Sequence, residues 1–433
     1  MTTGQLYEIF LNYPAISTDS RKIIKDSLFF ALKGDSFDGN RFATTALELG
    51  AIKAVVDDPE VVKSESYILV EDVLTSLQQL AAYHRKRLGL PIIAITGTNG
   101  KTTTKELIAS VLRQKFKIEF TQGNLNNHIG VPLTLLTFTK ETEIGVVEMG
   151  ANHPGEIDFL CRLADPDFGL ITNVGKAHLE GFGSFEGVVK TKRELYSYLD
   201  GKKGTIFINR DNPVLMGSIG FHADKITYGT SPSTGIKGEL CKSFPFLCVK
   251  FSFNRDSWFE IKTQLFGEYN FENVLAAVAT GHYFGVKPLM IKDAIEKYVP
   301  SNSRSQFIRS GTNIIILDAY NANPSSMQVS IASFLQIQAD HKCFMLGDML
   351  ELGENSEKEH QHIVDLLASH EDCDACLVGP CFSKTIRPER FLIFNDTNEL
   401  ILYLAEHPFQ HSAILIKGSH GIRMEKVFEV LNG

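Results

Sequence analysis

Residues 91–104, Pro-Ile-Ile-Ala-Ile-Thr-Gly-Thr-Asn-Gly-Lys-Thr-Thr-Thr, constrain the fold of this chain more than any other stretch. An apolar run reads as a strand. Leu107, Ile108, Val111, Leu112 and Phe116 then recur on one helical face. Strand, glycine turn, Lys-Thr and helix form the layout of a phosphate-binding loop in an α/β sheet. Gly97 and Gly100 let the backbone approach an anion, and the helix N-terminus adds unpaired N–H groups. Lys101 reaches outer phosphates, and Thr102 offers a hydroxyl to Mg²⁺. The general pattern has a further glycine where Ile95 stands.

Around this loop the chain divides into three parts. With 433 residues it is long for one domain. Residues 1–86 mix short apolar runs (27–32, 54–56, 67–70) with helical stretches, and the pattern 74–88 closes at Gly89-Leu-Pro91. Residues 87–300 alternate strand and helix, which predicts a largely parallel sheet. Strands are predicted at 144–148, 168–172 and 205–209. Helices are predicted from Pro154, at 185–199, at about 270–284 and at 288–298. Residues 247–253 and 258–262 alternate with period two and predict an antiparallel hairpin on the main sheet. Pro300-Ser-Asn-Ser303 reads as a linker. Residues 301–433 restart the alternation, with strands at 314–317, 343–346, 376–378, 391–394 and 413–416, as in a doubly wound unit.

A net charge of −8 argues against a general nucleic-acid binder. The chain has no apolar run of membrane-spanning length. Its first residues lack the basic start and apolar core of a signal peptide, so the cytoplasm is the default expectation. Seven cysteines are scattered. Cys373, Cys376 and Cys381 lack a second ligand pair and read as reduced thiols around a strand.

Several polar residues stand where such sheets bind ligands. Glu148 ends a strand, and either holds Mg²⁺, directly or through water, or is a solvated strand-end carboxylate. His178 follows another strand within Ala177-His-Leu-Glu-Gly-Phe-Gly183. Asp318 ends a third, and either bonds a ribose hydroxyl or caps the next turn. Asn270 and Asn273 share a helical face, to read an adenine edge or to cap. Lys190 and Lys192 lie on one helix, and spacing does not separate either from a solvated surface lysine.

Together these stretches resemble the Mur ligases, ATP-dependent amide-bond-forming enzymes of peptidoglycan synthesis. The resemblance rests on Gly97-Thr-Asn-Gly-Lys-Thr-Thr103 and runs the length of the chain. Thr18-Asp-Ser-Arg21, Phe29-Phe-Ala-Leu-Lys-Gly34 and Phe37-Asp-Gly39 look like a UDP-binding first domain. Asn124-Leu-Asn-Asn127, Gly130-Val-Pro132, Glu148-Met-Gly-Ala-Asn152, Tyr320-Asn-Ala-Asn-Pro324, Gly347-Asp-Met-Leu-Glu-Leu-Gly353 and Lys417-Gly-Ser419 are typical of one member. That member adds D-alanyl-D-alanine to a UDP-N-acetylmuramoyl tripeptide. The sister ligase that adds diaminopimelate carries an Asp-Asn-Pro-Arg signature, which does not occur here after residue 300. Two positions depart from the family: Tyr269 stands where histidine is common, and His420 where Lys-Gly-Ser is followed by arginine.

The resemblance implies a three-domain α/β architecture. A central parallel-sheet phosphate-loop ATPase domain lies between the UDP-binding domain and a C-terminal Rossmann-like domain. It implies ATP contacts at Gly97, Thr98, Asn99, Gly100, Lys101, Thr102, Thr103, Asn270, Asn273, Arg304 and Asp318. It implies Mg²⁺ held by Thr102, Glu148, His178 and Lys192, with Lys192 carbamylated by CO₂, and catalytic roles for Lys101, Lys192 and His178. Ser20, Arg21, Asn126, Asn127 and Asn323 would meet the small-molecule substrates. A monomer in the cytoplasm, without nucleic-acid or membrane partners, is the family-like expectation. The rival readings are a folate polyglutamylating ligase, which lacks the UDP-binding domain, and an inactive nucleotide-binding regulator.

Overall fold

A computed structural model describes residues 1–432 apart from His178, Phe221, Arg255, Asp256 and Asn302. Its main sheets follow one another along the chain. The first is parallel, in the order Ile16–Ser17, Leu28–Phe30, Lys53–Val56, Tyr67–Leu69. Helix Val73–Leu88 leaves it. The Asp72 carboxylate caps this helix by accepting from Thr75 N–H at 2.7 Å, and Gly89 ends it at φ +63°. Its basic last turn suits the negative end of the helix dipole. Arg85 in that turn is buried and donates to the carbonyls of Ala164 and Asp165, at 2.8 and 2.9 Å, which ties the first unit to the second.

The second sheet has nine strands. Ile92–Thr96 lies centrally, between Ile144–Glu148 and Phe168–Ile171, and all three are parallel and fully or largely buried. Parallel strands covered by helices on both faces are apolar throughout, and this is why they stand out in the sequence. Ile118–Phe120 adds to one side. Thr205–Asn209, Asp224–Gly229 and Ile236–Lys242 extend the other. The hairpin predicted at 247–262 is present as Cys248–Ser252 and Phe259–Lys262, antiparallel and joined to the main sheet.

The helix predicted from Pro154 begins instead at Glu156. The Glu156 carboxylate turns back to accept from the N–H groups of Asn152 and His153, and Gly155 takes φ +87°. Those bonds hold 152–155 as a turn. Phe116 likewise lies beyond the phosphate-loop helix, which ends at Leu112, and packs against the core from there.

The third sheet has the order Gln306–Ser310, Asn313–Asp318, Ser412–Lys417, His341–Gly347, Cys373–Val378, Phe391–Phe394. It is parallel except for its first strand. That antiparallel edge, like Ile118–Phe120 and Asp224–Gly229, went unpredicted. All three are half-exposed and lack a continuous apolar run.

Candidate active site

The carboxyl ends of the central strands face the third unit across a cavity of about 1200 Å³. The phosphate loop forms its floor. Gly97 takes φ +146° and Gly100 φ +76°, where a side chain is strained. A Cβ at Gly97 would collide with Thr172 Oγ1, and one at Gly100 would lie 2.7 Å from Asn273 Oδ1. The loop is moored to the next strand end. Thr98 N–H donates to the Asn173 carbonyl and Asn99 N–H to Asn173 Oδ1, both at 2.9 Å. Helix Lys101–Leu112 starts at Gly100 with no side-chain cap, so its first N–H groups face the cavity uncovered.

Lys101 curls over this loop and donates to the carbonyls of Gly97 and Thr98, at 2.8 and 3.0 Å. Burial lowers its pKa against the pull of nearby Glu148. The Glu148 carboxylate is buried and accepts from Thr102 Oγ1 at 2.9 Å and from Asn126 Nδ2 at 2.8 Å. A hydroxyl and a carboxylate side by side are the hard oxygen donors that Mg²⁺ takes. Asn127 Oδ1 accepts from Ile129 and Gly130 N–H and lines the cavity beside Asn126.

Burial separates the two lysines that spacing left equal. Lys190 is exposed, whereas Lys192 is 2 % exposed. Burial, and then the charge of Lys101, push Lys192 down to about 7. Its ammonium lies 5.5 Å from the Phe182 ring, and Lys192 is not among the residues that line the cavity. His178 lies outside the described residues.

The third unit closes the cavity from the other side. Arg304 stacks on Tyr320, 3.5 Å from the ring centroid, and its buried Nε has no hydrogen-bond partner among the described residues. A buried donor left unpaired is costly and fits an incoming anion or base. Asp318 accepts from Ser305 N–H at 3.1 Å and pairs with Lys417 at 2.6 Å. Asn323 caps helix Pro324–Leu335, and its Nδ2 donates to Asn99 Oδ1 of the phosphate loop at 2.8 Å. Tyr269, the departure from histidine, bonds Ser305 Oγ at 2.8 Å and so bridges the two units. Asn270 and Asn273 both line the cavity. They spend part of their amides locally: Asn273 donates to Asn270 at 2.9 Å and accepts from Thr104 at 3.0 Å.

Among the sequence-predicted residues, Thr98–Thr103, Asn126, Asn127, Glu148, Asn270, Asn273, Arg304, Asp318 and Asn323 gather at this cavity. Gly97 is not among the lining residues. Ser20 and Arg21 do not line it. Arg21 is exposed and spends its guanidinium on Asp19 at 2.9 Å. Sequence reasoning missed Lys417 and Lys105 as site residues. Lys105 is fully buried, one helical turn past Lys101, with its ammonium 3.7 Å from Glu148 Oε2. Its place in the run Lys-Thr-Thr-Thr-Lys was the available signal.

The family models for the Mur ligase catalytic domain, the Mur ligase middle domain and the Mur ligase glutamate ligase domain match residues 12–92, 95–281 and 303–420. The UDP-N-acetylmuramoyl-tripeptide–D-alanyl-D-alanine ligase of Bacillus subtilis is 34 % identical over 429 residues, covering 96 % of this chain and 92 % of its own. The enzyme of that name from Escherichia coli is 32 % identical over 438 residues, covering 99 % and 96 %. The crystal structure of the MurF ligase of Thermotoga maritima in complex with ADP superposes with a TM-score of 0.85 at 27 % identity, covering 98 % of each chain.

Proposed function

This chain belongs to the Mur ligase family, and we infer that it adds D-alanyl-D-alanine to UDP-N-acetylmuramoyl-tripeptide at the expense of ATP. The product is the pentapeptide precursor of peptidoglycan. The observation that carries this reading is the full-length likeness to ligases of that name, joined to a cavity of about 1200 Å³ lined by Thr98–Thr103 of the glycine loop. A coupled assay of phosphate release tests it. UDP-tripeptide with D-alanyl-D-alanine should support turnover, and folate with glutamate should not. The reverse result would make the chain a folate ligase, and no turnover with either pair a regulator.

The chemical difficulty is the approach of a substrate carboxylate to an anionic γ-phosphate. Bound Mg²⁺ supplies positive charge that screens this repulsion and polarises the phosphoryl oxygens. On the protein side, Thr102 and Glu148 are the proposed Mg²⁺ ligands, and the oxygen donors just described support that assignment. We assign His178 and carbamylated Lys192 to a second ion. The loop N–H groups and Lys101 hold the outer phosphates, and Lys101 neutralises charge as it grows on the transferred group. The carboxylate attacks the γ-phosphorus, the bond to the β,γ-bridging oxygen breaks and ADP leaves, giving an acyl phosphate. The free amine of D-alanyl-D-alanine then displaces phosphate at the carbonyl and loses a proton to form the amide. That amine reacts only when deprotonated, so activity should rise towards alkaline pH.

Carbamylation joins a neutral amine to CO₂, giving R–NH–COO⁻ and releasing one proton. The low pKa of Lys192 favours the neutral amine that this step needs. Arg304, Asp318, Asn270 and Asn273 are the proposed nucleotide contacts. Asn126, Asn127 and Asn323 are the proposed contacts to the acceptor and donor peptides, with Ser20 and Arg21 proposed for the UDP moiety. The presence of Lys101, Glu148, His178 and Lys192 in one chain supports an active enzyme over an inactive regulator.

We divide the chain into 1–86, 87–300 and 301–433. Each main sheet lies within one of these ranges, while helix Val73–Leu88 crosses the first boundary. Among the described residues no helix is long and apolar enough to cross a membrane. A monomer acting in the cytoplasm on soluble precursors completes the proposal.

A further inference from the structure

The hairpin edge of the nine-stranded sheet carries side chains that the ligation chemistry does not use. Strands Ile236–Lys242, Cys248–Ser252 and Phe259–Lys262 are antiparallel there. Val249, Phe251 and Ile261 belong to the core. Cys248, Lys250, Glu260 and Lys262 therefore share the opposite, wetter face. Between the first two strands the register shifts: Leu240 pairs with Val249, yet Lys242 pairs with Cys248. Cys241 is the extra residue of this bulge, and a bulge re-aims the side chain it carries. The sulfurs of Cys241 and Cys248 and a carboxylate oxygen of Glu260 consequently lie within 4.8 Å of one another. None of the three lines the catalytic cavity.

Two thiols and a carboxylate at such separations are a ligand set for a thiophilic d¹⁰ cation. The carboxylate sets this cluster apart from a simple redox pair. Lys250 and Lys262 lie 3.8 and 3.7 Å from the Glu260 oxygens. Two thiolates, one carboxylate and a divalent cation leave a single negative charge, which these lysines offset.

The other comparable group among the described residues, Asp348, His360 and Cys381, is closed by its own bonds. Asp348 accepts from the N–H groups of Cys381 and Phe382. His360 Nε2 accepts from Met349 N–H at 3.0 Å, and its Nδ1 donates to the Ser356 carbonyl at 2.7 Å.

We propose that Cys241, Cys248 and Glu260 form a site for a cation of the Zn²⁺ class that clips the edge hairpin, with water completing its coordination.

Cd²⁺ titrated into the full-length reduced protein reads this site through thiolate-to-metal ultraviolet absorption. One equivalent should saturate the band, and Zn²⁺ should compete it away. Cys241→Ser and Cys248→Ser should each abolish it, and Glu260→Gln, which removes a charged oxygen ligand, should weaken Cd²⁺ binding measurably. Ligase turnover should be unchanged in all three variants, which also shows that they fold. A band that persists in the double serine variant would assign the metal to other thiols and overturn the proposal. Absence of any band would overturn it as well, as would ready oxidation to a Cys241–Cys248 disulfide without Cd²⁺ binding.

Discussion

Lys192 offers the sharpest test of the site. A free lysine with a pKa of 10.5 is neutral at pH 7 in about one molecule in three thousand. At a pKa of about 7 it is neutral in about half. Burial thus enriches the form that reacts with CO₂ by roughly a thousandfold. On the proposed carbamate role, Lys192→Ala should lower turnover by at least about a hundredfold, because a hard cation would lose an oxygen ligand. Added formate or acetate should recover part of the loss by filling the gap. Lys190→Ala, at an exposed position on the same helix, should keep near wild-type turnover. Protein equilibrated with ¹³C-bicarbonate should show a carbamate carbon that is absent from Lys192→Ala. The same amine sets a pH dependence of stability in CO₂-free buffer. Its folded pKa lies below its unfolded value, so the unfolded chain binds the proton more tightly. The penalty is therefore full below about pH 7 and fades as pH rises towards 10.5. At pH 7 it is at most about 4 kcal/mol, and Lys192→Met should remove it and flatten the slope of the melting temperature with pH. Equal activity losses at both lysines, with no rescue and no carbamate signal, would refute the reasoning and leave Lys192 an ordinary cation.

Other expectations follow from the same geometry. Lys101→Ala should lower kcat by about 10²–10³-fold with an unchanged melting curve, since the ammonium acts on charge that develops during transfer; wild-type turnover would remove the phosphate-loop assignment. Gly175→Ala should lower kcat/KM several-fold, because the new Cβ would lie 2.7 Å from Ser325 Oγ where the second and third units meet. Ser325→Gly should restore it, and failure to do so would place the defect elsewhere. ATP with UDP-substrate should compact the molecule in small-angle scattering, and an unchanged radius of gyration would mean either a permanently closed enzyme or a misplaced second domain boundary.

The parts of the site that were legible in the sequence are those encoded by local pattern. The phosphate loop sits between an all-buried strand, which reads as a continuous apolar run, and a helix whose apolar residues recur with helical spacing. The long parallel strands of the third unit are nearly continuous apolar runs, for the same reason. Contacts between distant segments have no such signature. Lys417 and Asp318 are 99 residues apart and meet only because their strands are parallel neighbours, with Asp318 registered directly beside Lys417. Tyr269 and Ser305 pair across two units. Lys190 and Lys192 differ in neither charge nor spacing. What separates them is which side of helix Phe185–Lys202 the rest of the protein covers.

That last case bears on how the site works. Under the proposed carbamate role, a lysine two residues from an exposed one differs from it in that the fold removes its water, and here it does so within range of the charge on Lys101. The two buried cations then oppose each other's charge, and Lys101 contributes to the depression at Lys192. Arrival of the triphosphate at Lys101 would relieve that repulsion and raise the Lys192 pKa. An amine already converted to carbamate gains instead, because the proposed second ion is attracted to it. Order of loading therefore matters: carbamylation should be faster in the free enzyme than with ATP bound. Stopped addition of ¹³C-bicarbonate before or after nucleotide measures this directly. A carbamate that forms equally fast in both orders would show that Lys101 and Lys192 are not coupled.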